Sequence, residues 1–174
     1  VCERVMRYCL GDMSRVAGET EKLIAFAGNG GKLTAEDVDQ IVFRDTDYKI
    51  YEMTGAISLG NYTKYASVMA ELMAKGADEM NLLNGLCAYF RTLFEISVLR
   101  KGDADTAAIL GMKEYAVKMS RRQASAFAPI RLKKCYTALQ DSINGVKRGV
   151  LTPQGALLRA NAEIFFALQP NNGA

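Results

Sequence analysis

An all-α fold is what this sequence predicts, on three observations. Apolar residues recur at i, i+3, i+4 and i+7 along most of its 174 residues. No apolar/polar alternation runs longer than four residues, and there is no hairpin signal. Gly28, Gly60, Gly76 and Gly111, with Pro129 and Pro153, punctuate the periodic stretches as helix stops and starts.

Taken in order, the chain opens on Val1-Cys2-Glu3-Arg4, with no initiator methionine, and reads as a fragment beginning inside a helix. Met13, Val16, Ala17, Thr20, Leu23, Ile24 and Ala27 form one apolar face, with Asp12 placed to cap the start and Gly28 the end. Thr34-Ala35-Glu36-Asp37 has the form of a capping box and opens a short helix through Val42. Asp47 is the expected cap of a helix carrying Ile50, Tyr51, Met53 and Ile57, stopped at Gly60. A helix over about 62–75 shows Tyr62, Tyr65, Ala66, Met69, Leu72 and Met73. The longest, about 80–100, is expected to bury Leu82, Leu83, Leu86, Tyr89, Phe90, Leu93, Phe94 and Ser97. Helices near 103–110 and 113–127 follow. Pro129 suits the first turn of a helix through about Asn144. Thr152-Pro153 starts the last, with Leu157, Leu158, Asn161, Ile164, Phe165 and Leu168 on one face. Eight or nine helices result, and the stretches 28–34 and 43–47 mark a boundary between a small first piece and a larger bundle.

Composition narrows the chemistry. The chain is 49% hydrophobic and 24% charged, ordinary for a globular protein, and long enough to bury ~70% of its unfolded surface without staples. It contains no histidine. That removes Ser-His-Asp and Cys-His catalysis, histidine-ligated metals and the usual general base near neutral pH. Cys2, Cys9, Cys87 and Cys135 are too scattered for a zinc knuckle and read as buried free thiols in a reducing cytoplasm. No apolar stretch reaches the ~18 uninterrupted residues of a membrane span.

Net charge is +3, but it is uneven. Residues 111–150 hold Lys113, Lys118, Arg121, Arg122, Arg131, Lys133, Lys134, Lys147 and Arg148 against only Glu114 and Asp141. Such a block meets nucleic acid or an acidic partner, or is a solvated face whose counter-charges lie elsewhere.

Several motifs fail on inspection. Around Gly28-Asn29-Gly30-Gly31-Lys32, a phosphate-binding loop would need a glycine where Phe26 stands and a hydroxyl where Leu33 stands. The pairs Asp37/Asp39, Asp45/Asp47 and Asp103/Asp105 do not continue into a calcium loop, so no metal site is expected. Thr106 to Met112, followed by Tyr115-Ala116-Val117-Lys118, has the cadence of a helix-turn-helix whose second helix carries Lys113, Lys118, Arg121 and Arg122 as candidate phosphate contacts. A DNA-binding regulator using residues 113–122 is therefore one reading. A tight helix–helix corner inside a bundle is the other, and it needs the same small residues.

An ordered set of segments carries a resemblance. Gly11-Asp12-Met13-Ser14-Arg15, leading into Glu19-Thr20-Glu21-Lys22-Leu23, is followed by the helix start Leu33-Thr34-Ala35-Glu36-Asp37-Val38. Then come Ile50-Tyr51-Glu52-Met53 with Ala56-Ile57, Phe90-Arg91-Thr92-Leu93, Ile109-Leu110-Gly111-Met112 with Tyr115-Ala116-Val117-Lys118, and Lys147-Arg148-Gly149. Together these resemble the C-terminal portion of the bacterial DNA polymerase III delta subunit family, the clamp-loader component. The resemblance implies part of a small helical AAA+ lid over 1–45 and a helical collar, or oligomerisation, domain over 46–174. It also implies a cytoplasmic, non-catalytic role in DNA replication, with no cofactor. The partners implied are other loader subunits through the collar, and the sliding clamp only through an N-terminal domain outside this sequence. ATP-binding relatives carry an arginine three residues after the lid glycine. Ser14 stands there, and Arg15, one place on, is turned roughly 100° around the helix. Subunit interfaces favour aromatic and arginine anchors, which makes Phe90 and Arg91 candidates, with Lys147 and Arg148 for an acidic neighbour. The basic stretch adds the expectation of weak, salt-sensitive DNA contact.

Overall fold

A computed structural model describes residues 1–168 apart from Asn29, Asp45 and Lys75, and omits the side chains of Thr46, Asp47 and Ser58. Ten α-helices and no strand occur among the described residues. They are α1 (Cys2–Tyr8), α2 (Met13–Ala27), α3 (Ala35–Ile41), α4 (Thr46–Ser58), α5 (Tyr62–Ala74), α6 (Glu79–Leu99), α7 (Asp103–Leu110), α8 (Glu114–Ala124), α9 (Pro129–Lys147) and α10 (Pro153–Leu168). The count exceeds the sequence expectation because Cys2–Tyr8 closes as a helix of its own.

Most starts follow the predicted chemistry. The Asp12 carboxylate accepts from the Ser14 and Arg15 amides, and Gly28 ends α2 at φ +60°. Thr34 and Asp37 form the reciprocal capping box of α3. Thr152 Oγ1 accepts from the Gly155 amide at 3.1 Å, and Pro129 occupies the first turn of α9. One start differs. α4 begins at Thr46, so Asp47 lies inside its first turn, and the capping expected of its side chain falls outside what is described. Asp45, its partner in an Asp-x-Asp pair, lies outside the described residues.

The chain divides into two compact units, residues 1–48 and 49–174. In the first, α1, α2 and α3 enclose a small core of Val5, Cys9, Leu23, Val38 and Val42. Arg4 donates to the Ala35 carbonyl (3.2 Å) and to Asp39 (2.8 Å), and the Tyr8 hydroxyl donates to the same carboxylate. The predicted apolar face of α2 is only partly used. Leu23 is buried, while Met13 and Ile24 stand exposed, because two short neighbouring helices cover little of a helix of 15 residues.

The second unit carries the main core. α6 is its axis, packed against α8, α9 and α10. Its Leu82, Leu83, Leu86, Phe90, Leu93 and Ile96 are all buried. Each such side chain contributes ~1.5–3 kcal/mol relative to exposure. α6 is long and apolar enough to cross a membrane by length and composition, but the first five of these residues fill the core shared with Ile50, Met53, Tyr65, Leu72, Leu132, Leu139 and Ile164, and Ile96 packs with Ala107 and Val117. α10 differs in detail from the sequence reading. Ala156, Leu157, Ala160, Asn161, Ile164 and Leu168 face inward, and Leu158 is 66% exposed. The two alanines let α10 lie close to its neighbours, and that rotates Leu158 out.

Candidate functional site

Two polar hubs tie the helices of the second unit together. The first is Gln123 on α8. Its Oε1 accepts from the Thr54 hydroxyl (2.9 Å) and the Tyr89 hydroxyl (2.8 Å), while Nε2 donates to the Tyr51 carbonyl (2.9 Å). A carbonyl can only accept, which fixes the orientation of the amide. α4, α6 and α8 thus meet at one buried side chain. The second is Asn161 on α10, whose Oδ1 accepts from the Tyr65 hydroxyl and whose Nδ2 lies 3.4 Å from Met69 Sδ. Burial pushes the Tyr65 and Tyr89 hydroxyls well above the usual tyrosine value, so both stay protonated donors.

A third cluster contains a buried lysine. Lys49 is 4% exposed, with its ammonium 2.6 Å from Glu71 and 3.7 Å from Glu52, and Glu52 also meets Lys64 at 3.1 Å. Held between carboxylates of both helices, its ammonium links α4 to α5. Among the described residues, no three Cys, Asp or Glu side chains gather as a metal cage. Asp37 is occupied by its cap, Asp39 by Arg4 and Tyr8, and Asp103 by Arg121.

The residues singled out from sequence separate into two groups. Phe90 is wholly buried within its own unit, so the expectation that it anchors a neighbouring subunit is corrected: it is a core side chain. Arg91, next to it, is exposed and paired with Glu95 at 2.8 Å. Lys147 is exposed, and so is Arg148, which donates to the Asn144 carbonyl at the end of α9.

Among the candidate phosphate contacts, Lys113, Lys118 and Arg122 are exposed. Lys118 and Arg122 stand one turn apart on one face of α8. Arg121 does something else. Its guanidinium reaches Asp103 (2.7 Å), the Lys101 carbonyl (2.8 Å) and Thr106 Oγ1 (3.1 Å), binding the start of α7 to the end of α8. Val117, Met119, Ser120, Gln123 and Ala124 of α8 are buried. Gly111 turns the chain in the left-handed region at φ +63°, which glycine adopts without strain. The stretch read as a helix-turn-helix is therefore a bundle corner, with its supposed reading helix packed against α6 and α7. Sequence reasoning missed Gln123, and it placed Asn161 on the inward face of the last helix without seeing its role. Spacing can show which face an amide is on, but not which helix brings it a partner.

The fold is that of the clamp-loader delta class. It aligns with the DNA clamp loader delta protein of Bacillus subtilis at a TM-score of 0.84 and 21% identity, over 95% of this chain and 49% of that one. Residues 47–158 match the DNA polymerase III delta subunit, C-terminal domain, and the chain belongs to that family. It is also 22% identical over 126 residues to DNA polymerase III subunit delta of Bacillus subtilis, covering 71% of this chain and 36% of the relative. The chain spans half or less of the length of these relatives.

Proposed function

We infer that this chain is the assembly portion of a clamp-loader delta subunit. In this reading, residues 46–174 form the collar that joins other loader subunits, and residues 1–45 belong to a helical lid. The module itself is non-catalytic and works in the cytoplasm during DNA replication. The observation that carries the reading is the family match over 47–158, on a helical unit whose core is complete within one chain. Two features support it. The buried polar groups at Gln123, Asn161 and Lys49 are bound to neighbouring helices of the same unit, so they act as structural ties. The exposed cations Arg91, Lys147 and Arg148 are the proposed positions for an acidic neighbour. Lys113, Lys118 and Arg122 are proposed to make weak phosphate contacts that fade with salt.

Size-exclusion chromatography with light scattering tests the reading, on the chain alone and mixed with the other loader subunits of its organism. Entry into a mixed complex in moderate salt is expected. A chain that stays apart from those subunits overturns it.

A further inference from the structure

On the outer side of the α9–α10 hairpin lies an open groove of about 550 Å³. α9 lines it with Ile130, Lys133, Lys134 and Asp141, and α10 lines it with Glu163 and Phe166. Thr137, Ala138 and Ala167 lie between them, so the floor is made of small side chains. The α9 residues recur at helical spacing over three turns, which makes the groove a straight, helix-length seam. Phe166 is 79% exposed and Ile130 59% exposed. Both side chains therefore present much of their apolar surface to solvent while flanking a concave surface.

Charge distinguishes the two ends. No ion pair among the described residues engages Lys133 or Lys134, which share the end beside Phe166. Towards the hairpin turn the sign reverses at Asp141, while Glu163 is paired with Arg159 at 2.9 Å. Lys134 and Asp141 are seven residues apart, or ~10 Å along the helix. Phosphate backbone suits this surface poorly, since the Asp141 carboxylate and an apolar rim would face it. A helix suits it well, because a seam between two helices accepts the ridge of a third.

The geometry points to the α9–α10 groove as the docking site for an amphipathic helix of a neighbouring loader subunit. That helix places an apolar side chain between Ile130 and Phe166. Its carboxylates face Lys133 and Lys134, and about two turns away a Lys or Arg faces Asp141. The inference rests on the assembly reading above and assigns it a surface.

The mixed-complex experiment is repeated with Phe166→Asp, with the pair Lys133→Glu/Lys134→Glu, and with Ile109→Asp, an exposed apolar side chain on α7, as control. Circular dichroism melts verify folding of each. Phe166→Asp is expected to weaken association by at least about tenfold, as for an interface anchor. The lysine pair weakens it in low salt and converges on wild type in high salt, and Ile109→Asp leaves it unchanged. If wild type joins the complex and both groove variants join equally well, the groove assignment falls while the assembly reading stands. If wild type itself does not join, both fall. A homodimer that Phe166→Asp dissolves also overturns the assignment, by giving the groove to a second copy. Should Phe166→Asp misfold, the exposed lysine pair still decides the question.

Discussion

Replacing Gln123 with leucine isolates the main polar tie of the second unit. Leucine fills nearly the same space but removes one donor and one acceptor that serve three partners. The losses are unequal. The Thr54 hydroxyl already lies 2.9 Å from the Ile50 carbonyl and can turn to it. The Tyr51 carbonyl keeps its own helical partner. Tyr89 loses its 2.8 Å acceptor, although its hydroxyl also meets the Ser120 and Thr54 side chains and so keeps hydrogen-bond partners. Each bond lost is worth about 1 kcal/mol net. Subtracting about 1 kcal/mol for the added apolar carbon leaves a destabilisation of about 1–2 kcal/mol. Urea unfolding followed by far-ultraviolet circular dichroism reads this as a midpoint lowered by about 0.5–1 M. Tyr89→Phe in the same chain removes one of the shared bonds, so the double variant should recover about 1 kcal/mol relative to the sum of the singles. A loss below about 0.5 kcal/mol, or strict additivity in the cycle, refutes the assignment of Gln123 as a hub.

Three further outcomes follow from the same structure. A Cβ at Gly55 would sit 2.8 Å from Gln123 Nε2, so Gly55→Ala should forfeit the usual helix gain of about 1 kcal/mol and recover it in a Gln123→Ala background. Equal effects in both backgrounds would contradict the contact. In the first unit, the Tyr8 hydroxyl and Arg4 hold the Asp39 carboxyl below its ordinary value, and the Thr34 cap does the same for Asp37. A depressed carboxylate stabilises the fold above its unfolded value of about 3.9 and ceases to do so as pH falls through the lower folded value. Acid unfolding of this unit should thus begin below about pH 4, and Asp39→Asn should flatten that limb; an unchanged acid profile would count against the pairing. Thiol labelling gives the last test. Burial pushes the Cys135 thiol up to about 12 and raises Cys87 as well, while Cys2 is exposed. At neutral pH a maleimide should modify Cys2 first and Cys135 only in denaturant, and rapid native labelling of Cys135 would show that the core around it opens.

Local signals travelled well from sequence to structure. Asp12, the Thr34–Asp37 box, Gly28, Gly111 and Pro129 act over one helical turn, so four adjacent residues state the whole instruction. The long apolar period of α6 was legible in the main: Leu82, Leu83, Leu86, Phe90 and Leu93 are buried as expected, while Tyr89, Phe94 and Ser97 are only half-buried and the stripe ends on Ile96, which the sequence reading passed over. The family motifs were legible for the same reason, being short runs in a constant order. Amphipathic periodicity also placed Phe90 on the inner stripe, yet an aromatic beside an arginine reads the same whether it meets its own core or a partner.

Tertiary packing decided the remainder. Arg121 looked like its neighbour Arg122 until α7 brought Asp103 and the Lys101 carbonyl to it from 18 and 20 residues away. Gln123 became a hub because α4 and α6 converge on it, with Thr54 69 residues distant. The exposure of Leu158, Phe166 and Ile130 was set by which helix lies beside which. Along a single helix, hydrogen bonds and caps join residues a turn apart, and a sequence records those distances directly. Burial and pairing between helices depend on how far each rotates about its axis, and the alanines and glycines at the contacts set that rotation only once the partner helix is in place.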